Sequence, residues 1–148
     1  VMISSDERGE GIFVSEIAMR EQRPEHFVLR ASKVLARSRW SGSNYELKCK
    51  TPEEVMNICL RKIPMKIIVI DESVPSGSHL AHNDLLKETI EKYSHLFELS
   101  GVYSLTRRGT LYADAIKIYR LAGRDTPQAN KICVDLFNML KEEICLDF

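Results

Sequence analysis

The stretch Ile67-Ile68-Val69-Ile70, set between Lys66 and Asp71, restricts the fold of this chain more than any other. β-Branched side chains lose rotamer freedom in a helix and fit a pleated strand. Four in succession leave neither face for water, so they predict a strand buried on both sides, as in a sheet with helices over both faces. A chain of 148 residues, 44% of them apolar, is long enough to enclose such a strand in one domain.

The elements around it point the same way. Residues 1–5 read as a first strand, a helix is expected over 12–22 after the polar turn 5–11, and 26–30 returns as a second strand. Residues 31–44 read as an irregular connection and 45–50 as a half-exposed strand. Thr51-Pro52-Glu53-Glu54 opens a helix: threonine caps it, proline takes the first helical position, and Glu54 is placed to reach back to the cap amide. That helix is expected to end near residue 62, ahead of Pro64. After the buried strand, loop 72–83 leads into an amphipathic helix over 84–95. Two alternating stretches, 97–105 and 111–121, flank Thr106-Arg107-Arg108-Gly109-Thr110 and predict a hairpin. Thr126 and Pro127 then cap an expected last helix, with Ile132, Leu136, Phe137, Leu140 and Ile144 as its apolar stripe.

The fold class expected from this order is α/β: a Rossmann-like three-layer sandwich with a mostly parallel sheet, an antiparallel hairpin toward the C-terminus and a final helix. Residues 1–148 read as a single domain, expected to be excised from a longer protein because no polar leader precedes the first strand. The 21 basic and 21 acidic side chains cancel, which removes any general electrostatic argument for nucleic acid. Cys49, Cys59, Cys133 and Cys145 follow no zinc-site spacing, so buried thiols are expected rather than disulfides or a metal site.

In such sheets ligands bind beyond the carboxyl ends of the strands. The loops at Ser5-Asp6, Ser32-Lys33 and Asp71-Glu72-Ser73 qualify, and parallel strands would let Asp6, Lys33 and Asp71 face one crevice suited to acid–base or phosphate chemistry. The plainer use of such carboxylates is to cap helices and close turns. Gly9 and Gly11 suggest a dinucleotide loop, but Val14 holds the third glycine position and Asp6, Glu7 and Glu10 put negative charge where phosphate would lie. His79 and His82, with Asp84 two residues on, have metal-like composition, but the histidines sit in a stretch expected to precede the helix, so no metal and no cofactor are expected. Residues 20–50 hold eight Lys or Arg against three acids, and Lys33, Arg37, Arg39 and Trp40 cluster in the long connection as candidates for ligand or phosphate binding. The alternative is that Trp40 fills a gap beneath that loop and the cations are solvated.

Several segments together resemble a known family. Ser4-Ser5-Asp6 with Gly9-Glu10-Gly11, Arg20-Glu21-Gln22-Arg23-Pro24, Leu29-Arg30-Ala31-Ser32-Lys33-Val34-Leu35-Ala36 and Trp40 resemble the soluble α/β domain attached to bacterial membrane glycosyltransferases. Those are mannosyltransferase-like proteins dependent on polyprenyl-phosphate sugars. The closing pattern Phe97-Glu98-Leu99-Ser100-Gly101-Val102-Tyr103 with Ile116-Lys117-Ile118-Tyr119-Arg120-Leu121 is similar too, so the resemblance spans about residues 1–121. It implies a noncatalytic extramembrane domain with a binding or assembly role, partnered by the membrane-embedded part of its own parent protein. The catalytic carboxylate of that class lies in the membrane-embedded part. A polyprenyl-phosphate or sugar ligand and the extracytoplasmic face of the membrane are implied as well. The competing reading is a small hydrolase or transferase domain with its site in the crevice at Asp6, Lys33 and Asp71; the loop Asp71–Ser73 and Asp6 are otherwise expected to lie beside the basic connection as ligand-binding residues.

Overall fold

The computed structural model describes residues 1–20, 27–37, 44–59, 63, 65–75, 77, 80–122, 131–135 and 143–147. Along the chain run β1 (Met2–Ser4), α1 (Glu7–Arg20), β2 (Leu29–Arg30), α2 (Ala31–Val34), β3 (Ala36–Arg37), β4 (Glu46–Leu47), α3 (Pro52–Asn57) and β5 (Ile67–Asp71). They are followed by α4 (Ala81–Lys92), β6 (Phe97–Arg107), β7 (Thr110–Leu121), β8 (Lys131–Asp135) and β9 (Glu143–Asp147).

The fold is α/β, centred on a five-stranded sheet in the order β2-β1-β5-β7-β6. β1 runs parallel to β2 and to β5, with Ile3 opposite both Arg30 and Val69. β7 runs antiparallel to β5 and to β6, so a hairpin completes one side of a parallel half. β5 is the middle strand, and four of its five residues are buried. Ile68 and Ile70 join Met2 in a core with Val55 and Met56 of α3 and Leu85, Leu86 and Ile90 of α4. Alternation sends Ile3 and Val69 to the opposite face, where both are also buried. The run of branched residues is therefore covered on both sides, as expected.

Chain chemistry explains the element ends. Thr51 Oγ1 accepts the Glu54 amide at 3.3 Å, and Pro52 opens α3. The Glu54 carboxylate reaches one residue further back than expected, to the Lys50 amide at 2.6 Å. In the hairpin, Arg108 (φ 50°) and Gly109 (φ 78°) both take positive φ, the two-residue turn whose twist matches that of the flanking strands. Cys49 and Cys59 are buried thiols, and burial pushes the Cys59 thiol up to about 12.

Several expectations are corrected. α1 begins at Glu7 rather than residue 12, because Asp6 caps it: Asp6 Oδ1 accepts the Gly9 amide at 2.7 Å. α4 begins at Ala81 rather than residue 84, so His82 lies inside a helix. The connection 31–44 carries α2 and β3, and β3 pairs antiparallel with β4. The final helix is replaced by strands: β8 and β9 pair antiparallel, with Ile132 opposite Leu146, Cys133 opposite Cys145 and Val134 opposite Ile144. Ile-Cys-Val and Ile-Cys-Leu, each flanked by charged or polar residues, suit a two-stranded ladder as well as they suit a helical stripe. The expected cap at Thr126 and Pro127 lies outside the described residues, as do Arg39, Trp40 and His79.

Replacing Ile68 or Ile70 with alanine is expected to lower unfolding free energy by about 2–5 kcal/mol in urea titrations, the cost of deleting buried branched side chains. A loss below about 1 kcal/mol at both sites would place β5 at the periphery of the core.

Candidate functional site

The carboxyl ends of β1, β2 and β5 carry two buried polar clusters. The first surrounds Asp71, the last residue of β5. Ser5 Oγ donates to Asp71 Oδ2 at 2.7 Å, while the Ser73 amide and hydroxyl donate to Oδ1 at 3.0 and 2.5 Å. Next to it, Ser4 Oγ donates to Asn83 Oδ1 at 2.8 Å, which ties β1 to α4. The loop after β1 is held so closely that a Cβ on Gly9 would press into Ser5 Oγ. Glycine is needed at that position to admit the Ser5 hydroxyl, which is a packing reason for it, distinct from the phosphate-loop reason.

The second cluster surrounds Glu10, whose side chain has no solvent exposure. Its Oε2 accepts from Arg30 Nε at 3.1 Å and from the Ser32 hydroxyl, and its Oε1 accepts the Ser32 amide at 3.0 Å. His82, 1% exposed, places Nε2 3.6 Å from Glu10 Oε1, beyond hydrogen-bond distance but within reach of the carboxylate's charge. On its other side, His82 Nδ1 lies 2.8 Å from the Tyr45 hydroxyl, which also accepts the His82 amide at 2.8 Å. Burial is the main cause that pushes the Tyr45 hydroxyl up to about 12; the His82 amide bond opposes it, and the charges of Glu10 and Asp84 add to it.

The residues singled out in the sequence take varied places. Asp71 and Ser73 are brought together, joined by Ser5. Asp6 serves as the α1 cap, the plainer use foreseen for such a carboxylate. Lys33 lies in α2, where its carbonyl accepts Lys48 Nζ at 2.8 Å, and Arg37 lies half-buried on β3. Glu10, Ser32, Tyr45, His82 and Asn83 were not anticipated as a group. Their signal was present in Asp6: a cap there starts α1 early enough to put Glu10, Phe13, Val14 and Ile17 along one helical face.

Among the described residues, no group of three or more His, Cys, Asp or Glu side chains is placed to hold a metal ion. No described helix is long and apolar enough to cross a membrane. Set against known proteins, the chain matches no family model, no curated protein and no solved structure.

Two outcomes follow from the Glu10 cluster. Glu10→Ala removes the acceptor of the Ser32 amide and one acceptor of Arg30, and a loss of about 3–5 kcal/mol in unfolding free energy is expected, with a smaller loss for Glu10→Gln. The second outcome concerns alkaline pH. The folded state holds the Tyr45 proton to about 12 against an ordinary 10, so the unfolded chain releases it first. That contribution is complete below pH 10 and is lost as pH rises toward 12. Unfolding free energy of Tyr45→Phe, measured across that window, is expected to fall less steeply than that of the unaltered chain.

Proposed function

We propose that this domain is a noncatalytic accessory module of a larger membrane glycosyltransferase-like protein. Its role is binding or assembly beside the membrane-embedded part of its own parent chain, on the extracytoplasmic face. One observation carries the noncatalytic reading. The groups at the carboxyl ends that resemble catalytic ones, Ser5, Glu10, Asp71 and His82, are all buried and engaged with one another or with neighbouring loops. A nucleophile or base must reach its substrate, and buried groups already bonded internally serve packing and loop placement instead.

In this reading the architecture is a Rossmann-like three-layer sandwich, with α1 over the face opposite α3 and α4. The basic stretch from Lys33 through Arg37, Arg39 and Trp40 is the ligand-facing part. Its cations suit a phosphate or sugar carboxylate, and Trp40 suits a sugar ring or a lipid-proximal surface. A polyprenyl-phosphate or sugar head group is the ligand of that chemistry. The competing reading, a small hydrolase or transferase using Asp71 and Ser73, requires the first cluster to open.

Chemical-shift mapping of the domain with a polyprenyl-phosphate head group tests the proposal. Perturbations confined to residues 30–45, without turnover, are the expected result. Hydrolysis or transfer of a phosphate or glycoside by the purified domain, abolished by Asp71→Asn or Ser5→Ala, would overturn it.

A further inference from the structure

The C-terminal ladder places two of the four cysteines opposite each other. Among the described strands, β8 and β9 form a two-stranded antiparallel sheet of their own, in which Cys133 is the register partner of Cys145. In the helix expected from the apolar stripe, these residues would stand about 18 Å apart along the axis. Opposed Cα atoms of an antiparallel pair lie about 4.5 Å apart at a non-hydrogen-bonded position and about 5.5 Å apart at a hydrogen-bonded one. A disulfide spans Cα separations of about 4.4–6.8 Å, so either kind of position meets its requirement.

The register also shows why a covalent tie suits this ribbon. Ile132 with Leu146, and Val134 with Ile144, share one face. Cys133 and Cys145 share the other with the charged pairs, Lys131 with Asp147 and Asp135 with Glu143. The cysteines are thus set apart from the branched residues, beside which a cysteine kept as a small hydrophobe belongs. Asp135 opposite Glu143 is a like-charged pair that weakens the ladder next to them on that face. A ribbon of two strands is marginal in water without further support. We propose that Cys133 and Cys145 are a disulfide site, closed across the ladder by exchange with a small-molecule disulfide, oxidised glutathione. One cysteine thiolate attacks a sulfur of the reagent and releases a first glutathione thiolate. The other attacks the protein sulfur of that mixed disulfide and releases the second. Both cysteines are oxidised, the reagent is reduced to two glutathione molecules, and the two cysteine protons end on the leaving thiolates. Cys49 and Cys59 stay out of the exchange, since both are buried and burial disfavours the Cys59 thiolate. The disulfide is independent of the accessory role proposed above.

Peptide mapping of the whole chain tests it. The reduced chain is treated with oxidised glutathione, its remaining thiols are alkylated in denaturant, and it is digested with trypsin. Cleavage after Lys131 and Lys141 separates the two cysteines into peptides 132–141 and 142–148. The expected product is these two peptides joined, with Cys49 and Cys59 alkylated, so half of the thiols of the reduced chain are lost. Closure should be faster by about tenfold or more in the folded chain than in urea, because the ladder holds the two residues together. Cys145→Ser should yield no internal bond. Retention of all the thiols would overturn the proposal, as would links between chains or to Cys49 or Cys59. Equal rates in urea and in buffer would overturn it too, by assigning the bond to nearness in sequence instead of the ladder.

Discussion

A carboxylate sealed from solvent holds the parallel half of this domain in register with its helices. Glu10 projects from α1 and takes hydrogen bonds from Arg30 at the end of β2 and from Ser32 in α2, with His82 of α4 beside it. Removing a carboxylate from water costs several kcal/mol, which only charge-assisted bonds of good geometry offset. An apolar residue of similar size would avoid that cost but would remove the acceptor of the Ser32 amide and one acceptor of the Arg30 guanidinium. The interaction therefore serves specificity: it admits one relative placement of four elements where greasy packing would tolerate several.

Asp71 plays the matching part at the neighbouring strand end. It draws Ser5 from the loop after β1 and Ser73 from its own turn onto one carboxylate, and Gly9 keeps the space that Ser5 occupies. In many α/β sheets this region is left open for a ligand. Here its polar groups face inward, and exposed apolar side chains stand on the hairpin instead, at Leu99, Val102, Tyr103, Leu111 and Tyr112.

The strands were the most legible part of the sequence, for reasons that differ by element. The branched run at β5 has no alternative to burial, and the turn at Arg108-Gly109 is marked by glycine between two alternating stretches. Thr51-Pro52 fixed the start of α3 because capping chemistry is local. The start of α1 was misplaced because Gly9 and Gly11 read as a loop, whereas Asp6 caps a helix that passes through both. The C-terminal segment failed for another reason: Ile132 and Ile144 fit the expected helical stripe and the β8–β9 ladder alike, and only partner strands decide between them. Of the candidate site, Asp71 and Ser73 were visible as a strand end and its turn. Glu10 and His82 were not, because their meeting depends on α1 and α4 both starting a turn earlier than periodicity suggested.

The topology also sets an order of assembly. β6 and β7 are joined by two residues whose backbone already favours the turn, so that ribbon closes on the timescale of about 1–10 μs typical of hairpins. The bond from Ser5 to Asp71, by contrast, spans 66 positions of chain, and β1 cannot pair with β5 before the whole crossover is in place. During synthesis from the N-terminus, β1 and α1 emerge long before the strand they need. Until β5 is made, Met2 and Ile3 lack the strand that pairs with them on that side of the sheet, so these apolar residues stay uncovered while the intervening chain is synthesised.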